Sequence, residues 1–403
     1  MSAMNACELE IDLQCLGLRI DPSCTLEEDA RSFSRTRAGL GSGLELTIPG
    51  QRKEIWVNVP VVEEFAKSSP WVLRKAAGSY RVRHELTDEE HLVHVPREPR
   101  WYRSKTGAGT LMSRVGVLQG TYLGIYIEET CAFWKSDPGL QCHFCTSGVN
   151  VGKEEEARKT VDDVVETALA AKAESGVTFV HFNSGFQGER DIDGVIPFVT
   201  ALKERVGVLV GVQMTPSRHL EKYDRLKELG VDHLSFCYEF QNPEFFAEYL
   251  PGKQKVFGQQ AFFDAMDYTA KLWGPGRVSG EIIAGIEPLE DTFAAIDRIV
   301  SVGAFPTVCI FRPLPGSKMA GYPPPRPEEM RQVFRKVALA CRDAGLPVGI
   351  APNIEVSLVV QPDDALELLP GGLKTTVYLA KLKAMKAAAK PMFKSLLKPR
   401  ARS

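Results

Sequence analysis

The sequence predicts an α/β fold: a TIM-type (β/α) barrel, full or partial, with a small β-rich N-terminal region and a basic helical C-terminal tail. Three observations predict it. Apolar runs and helical stretches alternate from about residue 113 to residue 352. The runs are continuously apolar, which marks parallel strands covered on both faces. Gly176, Gly230, Gly303 and Gly345 stand just past four of the helical stretches, where a C′ residue turns left-handed.

The elements follow in order. Residues 1–110 form a β-rich accessory region, with short alternating runs at 44–48, 55–59, 80–83 and 91–95. Pro96, Pro99 and Gly107-Ala108-Gly109 then read as a linker. Residues 111–357 form the barrel, with strands expected at 115–126, 178–182, 208–213, 233–238, 277–284, 307–312 and 348–351. Helices are expected at 161–174, 220–229, 259–272, 291–302 and 327–344, the first with Thr160 as N-cap and Asp163 as its capping-box acid. Residues 358–403 form an extension. From Lys374 onward it holds nine Lys or Arg and no Asp or Glu. Leu379, Leu382 and Met385 recur at helical spacing, so an amphipathic helix is expected over 375–389, ended by Pro391. Such a helix either covers the barrel ahead of a frayed end or meets an anionic surface: lipid head groups, RNA or an acidic partner.

Bulk properties narrow the function. A net charge of −2 gives no global field for nucleic acid. No apolar run approaches the roughly 20 residues that span a bilayer. The acidic start at Glu8, Glu10 and Asp12 does not resemble a secretory signal, so a cytoplasmic location is expected. Nine cysteines, an odd number, argue against a disulfide framework there. Cys237, Cys309 and Cys341 sit in apolar runs and read as buried hydrophobes. Cys131, Cys142 and Cys145 instead lie together in a loop-forming segment directly after the first barrel strand. In such barrels the chemistry sits at the strands' carboxyl ends.

Ten residues separate Cys131 from Cys142, and two separate Cys142 from Cys145. Thiolates two residues apart can reach one metal centre, and Pro138-Gly139 lets the insert fold back so that Cys131 joins them. A closed zinc site wants four ligands, and His143 lies awkwardly between two of these cysteines. A [4Fe–4S] cluster on three cysteines keeps one iron open to a small molecule. Zinc and inert thiols remain the alternatives.

At this segment the chain resembles the radical S-adenosylmethionine (SAM) superfamily, with a biotin-synthase-like barrel. The final cysteine spacing and the aromatic Phe144 before the last cysteine match; the first gap is longer than usual. The resemblance implies an oxygen-sensitive [4Fe–4S] cluster on Cys131, Cys142 and Cys145. It also implies SAM-binding turns at strand ends. Asn183-Ser184-Gly185 stands where the family places a turn for the methionine amino group. Glu239 ends the fourth strand, where a carboxylate suits a ribose hydroxyl or an ammonium group. Ile286 and Glu287 follow the fifth strand in a pattern similar to the adenine pocket of biotin synthase. Pro313 to Ser317 resemble the Pro-rich turn after the sixth.

Other polar groups near strand ends are substrate candidates: Gln213, Glu281, Arg312, Asn353 and Glu355. The guanidinium of Arg312 suits a substrate carboxylate or phosphate. The chemistry implied is reductive cleavage of SAM to a 5′-deoxyadenosyl radical, which takes hydrogen from a small metabolite or lipid precursor. A one-electron donor such as flavodoxin or ferredoxin is implied. Two other classes compete: a zinc-dependent TIM-barrel hydrolase or lyase, for which only His181 and His233 lie in barrel strands, and a zinc-stapled adaptor with a basic docking tail.

Overall fold

A computed structural model describes residues 4–26, 43–135 and 137–400, apart from the side chains of Glu189 and Asp191. Its centre is a seven-stranded sheet, ordered β13-β12-β11-β10-β9-β8-β7. The strands are β7 (Val117–Gln119), β8 (Tyr122–Tyr126), β9 (Phe179–Asn183), β10 (Leu209–Gln213), β11 (His233–Glu239), β12 (Val278–Ala284) and β13 (Phe305–Ile310). All neighbours from β8 to β13 are parallel; only β7 runs antiparallel, against β8. Helices Val161–Ser175, Lys222–Leu229, Gln259–Trp273, Leu289–Ser301 and Pro327–Ala344 cover the outer face, near the predicted positions. The capping box of the first is present, with Thr160 Oγ1 accepting from the Asp163 N–H at 3.0 Å.

Three expectations need correction. The run 115–126 is not one strand. Gly120 turns it at φ +79°, and a Cβ there would lie 2.3 Å from the Glu355 carbonyl, so the run folds into the β7–β8 hairpin. Residues 348–351 form no strand, and Gly349 at φ +65° breaks the extended run. The barrel is therefore partial. Beside its edge strand β13, Val360 bridges to Val308, and Ser357 accepts from the Asn58 N–H at 2.7 Å. Pro391 does not end the last helix, which runs Leu373–Leu396. Proline forfeits a turn's hydrogen bond, but Met392, Phe393 and Leu396 beyond it face the barrel interior. Up to Arg400 the described residues are fastened: the Arg400 N–H donates to Lys203 O at 2.9 Å and its guanidinium to Leu229 O at 2.9 Å.

The N-terminal region contains the four expected strands, β2 (Leu44–Pro49), β3 (Glu54–Val59), β5 (Ser79–His84) and β6 (Glu90–Val93), and two that were not expected, β1 (Arg19–Ile20) and β4 (Trp71–Ala76). They form a β1-β4-β5-β6 sheet and a β2-β3 hairpin. The chain opens, however, with a buried helix, Ala6–Leu16, capped by Asn5 and Glu8. No helix was expected there. Glu10 and Asp12 are in fact buried, and Asp12 pairs with Arg331. One continuous apolar core joins this region to the barrel.

Candidate active site

The cysteine segment folds over the carboxyl ends of β8 and β9. The Ala132 N–H donates to Phe186 O at 2.7 Å, and the Phe133 and Phe186 rings stack 4.8 Å apart, so the Cys131 loop is fastened to the loop after β9. Tyr126, at the end of β8, is the hub: its hydroxyl accepts from the Gly185 N–H at 3.0 Å and donates to Glu129 O at 3.3 Å. Gly185 can be nothing larger without movement, since a Cβ would lie 2.4 Å from Cys131 Cβ and 2.8 Å from its sulfur. Gly252 is equally constrained, its absent Cβ directed at Leu140 O (2.5 Å) and the Phe133 ring (2.7 Å). The Cys145 N–H closes a turn on Cys142 O at 3.1 Å, and the Ser147 N–H points to Cys145 Sγ at 3.4 Å. Phe144 meets the buried Phe240 edge-on at 6.1 Å, which fixes the loop against the end of β11.

The three sulfurs lie close enough to feel one another's charge. Burial raises the thiol pKa of Cys131, and raises that of Cys142 well above the usual value. Thiols so buried become thiolates when a cationic centre binds them.

The predicted SAM-binding residues surround this loop. Asn183 ends β9 beside Tyr126, and its buried Oδ1 has no hydrogen-bond partner. The Ser184 N–H donates to Gln213 O at 3.1 Å and its hydroxyl to Gly185 O at 2.9 Å, which shapes the turn. Glu287 is buried; one carboxylate oxygen accepts from the Gln241 and Asn242 N–H groups at 3.0 Å each, and the other has no partner. Burial raises its pKa to about 7. Ile286 packs against the core beside it. Orphaned polar atoms on Asn183 and Glu287, with the glycine cradle under Cys131, fit a polar ligand laid across these strand ends.

Glu239 is a correction. A register shift in β11 and φ +58° turn its carboxylate inward, but the ammonium it meets is the chain's own. Lys253 Nζ donates to both its oxygens, at 2.6 and 2.7 Å, and to Cys237 O at 2.7 Å. Burial pushes the Glu239 pKa up to about 7 against the pull of Lys253. Lys253 itself is raised although burial alone would lower it, because Glu239 and the nearby thiols favour its charge. The sequence reading missed Lys253, which stands on the short helix Pro251–Val256; the adjoining Gly252 was the available signal.

The substrate candidates separate into two groups. Gln213 and Glu281 face the barrel interior, 2.8 Å apart. Cys309 Sγ approaches the other Glu281 oxygen at 3.7 Å. Arg312 does not face the interior site. Its guanidinium donates to Asn58 O at 2.9 Å and Asn58 Oδ1 at 3.3 Å, with buried Glu63 at 4.0 Å, so it clamps β3 to the barrel. Asn353 and Glu355 lie at the opposite, amino end of the strands. Asn353 Nδ2 donates to Gly176 O at 2.8 Å, and Glu355 takes Lys53 Nζ at 2.5 Å.

Between Gln213 and that amino end lies a cavity of about 450 Å³. Phe179, His181, His233 and Phe305 line its sheet side, and Met392 and Phe393 of the last helix line the other. The cavity was not foreseen; that the helix packs on the barrel was one of the two readings of it.

No family model matches the chain. Bacteriochlorophyllide c C-7(1)-hydroxylase of Chlorobaculum limnaeum is 25% identical over 237 residues, which are 54% of this chain and 58% of that protein. The chain therefore spans little more than half the length of this relative. Among solved structures, a maturase of the [FeFe]-hydrogenase has a TM-score of 0.43 at 16% identity, over 55% of this chain and 49% of its own. Methylornithine synthase has a TM-score of 0.41 at 17% identity, over 66% and 82%. A radical SAM methyltransferase from Sphaerobacter thermophilus has 0.42 at 13%, over 72% and 81%. The chain is thus similar over part of its length to these proteins, and its three clustered cysteines lie over the carboxyl ends of a partial (β/α) barrel.

Proposed function

We propose that Cys131, Cys142 and Cys145 hold a [4Fe–4S] cluster, and that the chain uses it with SAM to abstract hydrogen from a large, flat, apolar substrate in the barrel cavity. The observation that carries this is the adjacency of the two sites. Gln213 lines the cavity, and its carbonyl accepts the Ser184 N–H, one residue from the glycine under Cys131. When bound and reduced, the cluster supplies one electron that breaks the sulfonium C–S bond of SAM, yielding methionine and a 5′-deoxyadenosyl radical that takes a hydrogen atom from the substrate.

The chain's own residues supply position and dryness. Asn183, the Ser184-Gly185 turn and Glu287 orient SAM at the strand ends. Phe133, Phe144 and Phe186 wall the cluster from water. Lys253 compensates negative charge beside Cys142. Gln213 and Glu281 stand between the two sites and contact the substrate edge nearest the radical. The apolar lining argues against a small polar metabolite. The relative's name, with its tetrapyrrole substrate, agrees with a ring compound of this kind. An electron donor of the flavodoxin or ferredoxin class completes the cycle.

The chain acts in the cytoplasm, and the basic outer face of helix Leu373–Leu396 lets it visit anionic membrane to collect an apolar substrate. No described helix is long and apolar enough to cross one. The three segments 1–110, 111–357 and 358–403 serve as brace, catalytic barrel and cavity wall. Anaerobic reconstitution tests the reading. A brown protein with about four irons per chain, forming 5′-deoxyadenosine from SAM and dithionite, supports it. A colourless protein with one tightly held zinc overturns it.

A further inference from the structure

We infer that the cavity takes a metal-centred macrocycle and that His233 is the protein's ligand to its metal. This rests on the reading of the cavity as the substrate site, and goes beyond it by naming the coordinating residue. His233 opens β11 and lines the cavity. Its Nδ1 lies 3.0 Å from the Arg277 carbonyl, which can only accept, so Nδ1 carries the proton and Nε2 the lone pair. A second-shell carbonyl of this kind is what orients imidazoles that bind metals.

Nε2 has one long contact, Ser279 Oγ at 3.4 Å, and that hydroxyl also reaches Ser235 Oγ at the shorter distance of 3.0 Å. The ring is held in place by Phe305, stacked at 5.5 Å, and by His181 at 5.7 Å. Burial lowers the His233 pKa to about 4, so the imidazole is neutral at physiological pH.

A bare ion is a poor fit here. The nearby carboxylate of Asp232 is engaged by Lys203 Nζ at 2.5 Å and the Val210 N–H at 2.8 Å. Transition ions held by protein alone want three or four ligands. A metal that brings four equatorial nitrogens of its own needs one axial imidazole, as in haem proteins. The rest of the lining matches: aromatic and thioether side chains on the sheet and on the last helix make two apolar walls for a flat ring.

The full-length chain is titrated with zinc protoporphyrin IX and, separately, with metal-free protoporphyrin IX, each read as a difference spectrum against the same protein. Saturable binding of one zinc porphyrin per chain, with its Soret band shifted to the five-coordinate position, is expected. His233→Ala should weaken that binding about tenfold or more and abolish the shift, and added imidazole should restore it. His181→Ala should keep the shift, and so serves as a control for cavity packing. An unchanged shift in His233→Ala overturns the assignment, as does binding without a shift in the wild type, although the ring-substrate reading then survives. Binding of neither porphyrin overturns both. Formation of 5′-deoxyadenosine is measured separately, so failure of the radical chemistry is told apart from failure of the ligand.

Discussion

The two ends of the partial barrel are built on opposite rules. At the carboxyl ends, chain closeness is bought with glycine, and polar atoms are left unsatisfied: Gly185 and Gly252 admit no Cβ, while Asn183 Oδ1 and Glu287 Oε1 lack partners. At the amino ends, the buried charges are met by ions of the chain itself, although Asp364 Oδ1 and Glu367 Oε2 have no hydrogen-bond partner there either. Lys53 is met by Glu355, Asp363 and Asp364 at 2.5, 2.6 and 2.8 Å. Lys172 caps Val206 O, Gly207 O and Leu397 O at 2.8 to 3.0 Å. Folded proteins satisfy buried polar atoms unless a ligand or strain explains the exception. The two ends therefore differ in how the chain is packed: glycine-dependent close approach at the carboxyl end, and ion pairs around an apolar cavity at the amino end.

Four changes test that contrast. The largest effect is expected from Cys142→Ala. Iron content should fall from about four to near zero per chain, and 5′-deoxyadenosine formation by a hundredfold or more, on the order of what essential ligand-shell changes cost. The melting temperature of the metal-free protein should scarcely move. A large loss of stability instead would make these cysteines structural.

Next comes the amino end. Lys53→Met leaves three clustered carboxylates uncompensated and should cost about 3–5 kcal/mol, as breaking a buried ion pair does. The loss should be greater at pH 8 than at pH 5. Burial raises the Asp364 pKa to about 7 with Lys53 and its neighbours in place, so acid neutralises part of the cluster. Denaturant melts at the two pH values decide it; equal losses would mean that the carboxylates do not repel.

A smaller effect is expected from Gly185→Ala, whose methyl must displace Cys131. It should lower iron occupancy and SAM cleavage by roughly 10–100-fold while leaving the fold intact. Wild-type iron content in this variant would show that the loop gives way freely.

The smallest effect concerns pH. Burial raises Glu287 to about 7 in the folded chain, so the native state binds its proton more tightly than the unfolded state. Its contribution to stability is complete below the unfolded carboxyl value and is lost as pH rises through about 7. Glu287→Gln should flatten that part of the stability profile by on the order of 1–2 kcal/mol, and SAM bound through Glu287 should flatten it in the wild type. A profile identical in both proteins would place the titration elsewhere.

How far the sequence could be read follows the same division. Strands β9 to β13 and their covering helices were legible because parallel strands demand unbroken apolar runs, and helix ends demand caps and C′ glycines. The edges were not. The 115–126 run is apolar throughout, yet it is folded in two by the approach of Glu355, distant in sequence. Residues 348–351 are apolar enough for a strand, but Gly349 at φ +65° breaks the extended run, and Val360 rather than this segment bridges to the edge strand β13. Helix Ala6–Leu16 was not foreseen, and Arg331, which answers its buried Asp12, lies far along the chain.

The site divides likewise. The cysteine triad, Asn183, Ser184, Gly185 and Glu287 are carried by short motifs, and a motif is local. Arg312, Glu239, Asn353 and Glu355 had the right chemistry, but their partners are Asn58, Lys253, Gly176 and Lys53. Each of those contacts is long-range, and no spacing rule encodes it.

By itself, then, the sequence determined the fold class, the clustering of the three thiols in one loop and the turns around them, because periodicity and spacing are properties of neighbouring residues. Only the tertiary structure decided that the barrel stays open, that the last helix becomes the wall of its cavity, and which charged groups are consumed in holding the molecule together. Those outcomes depend on which surfaces meet across the fold and on which buried polar group finds its partner first.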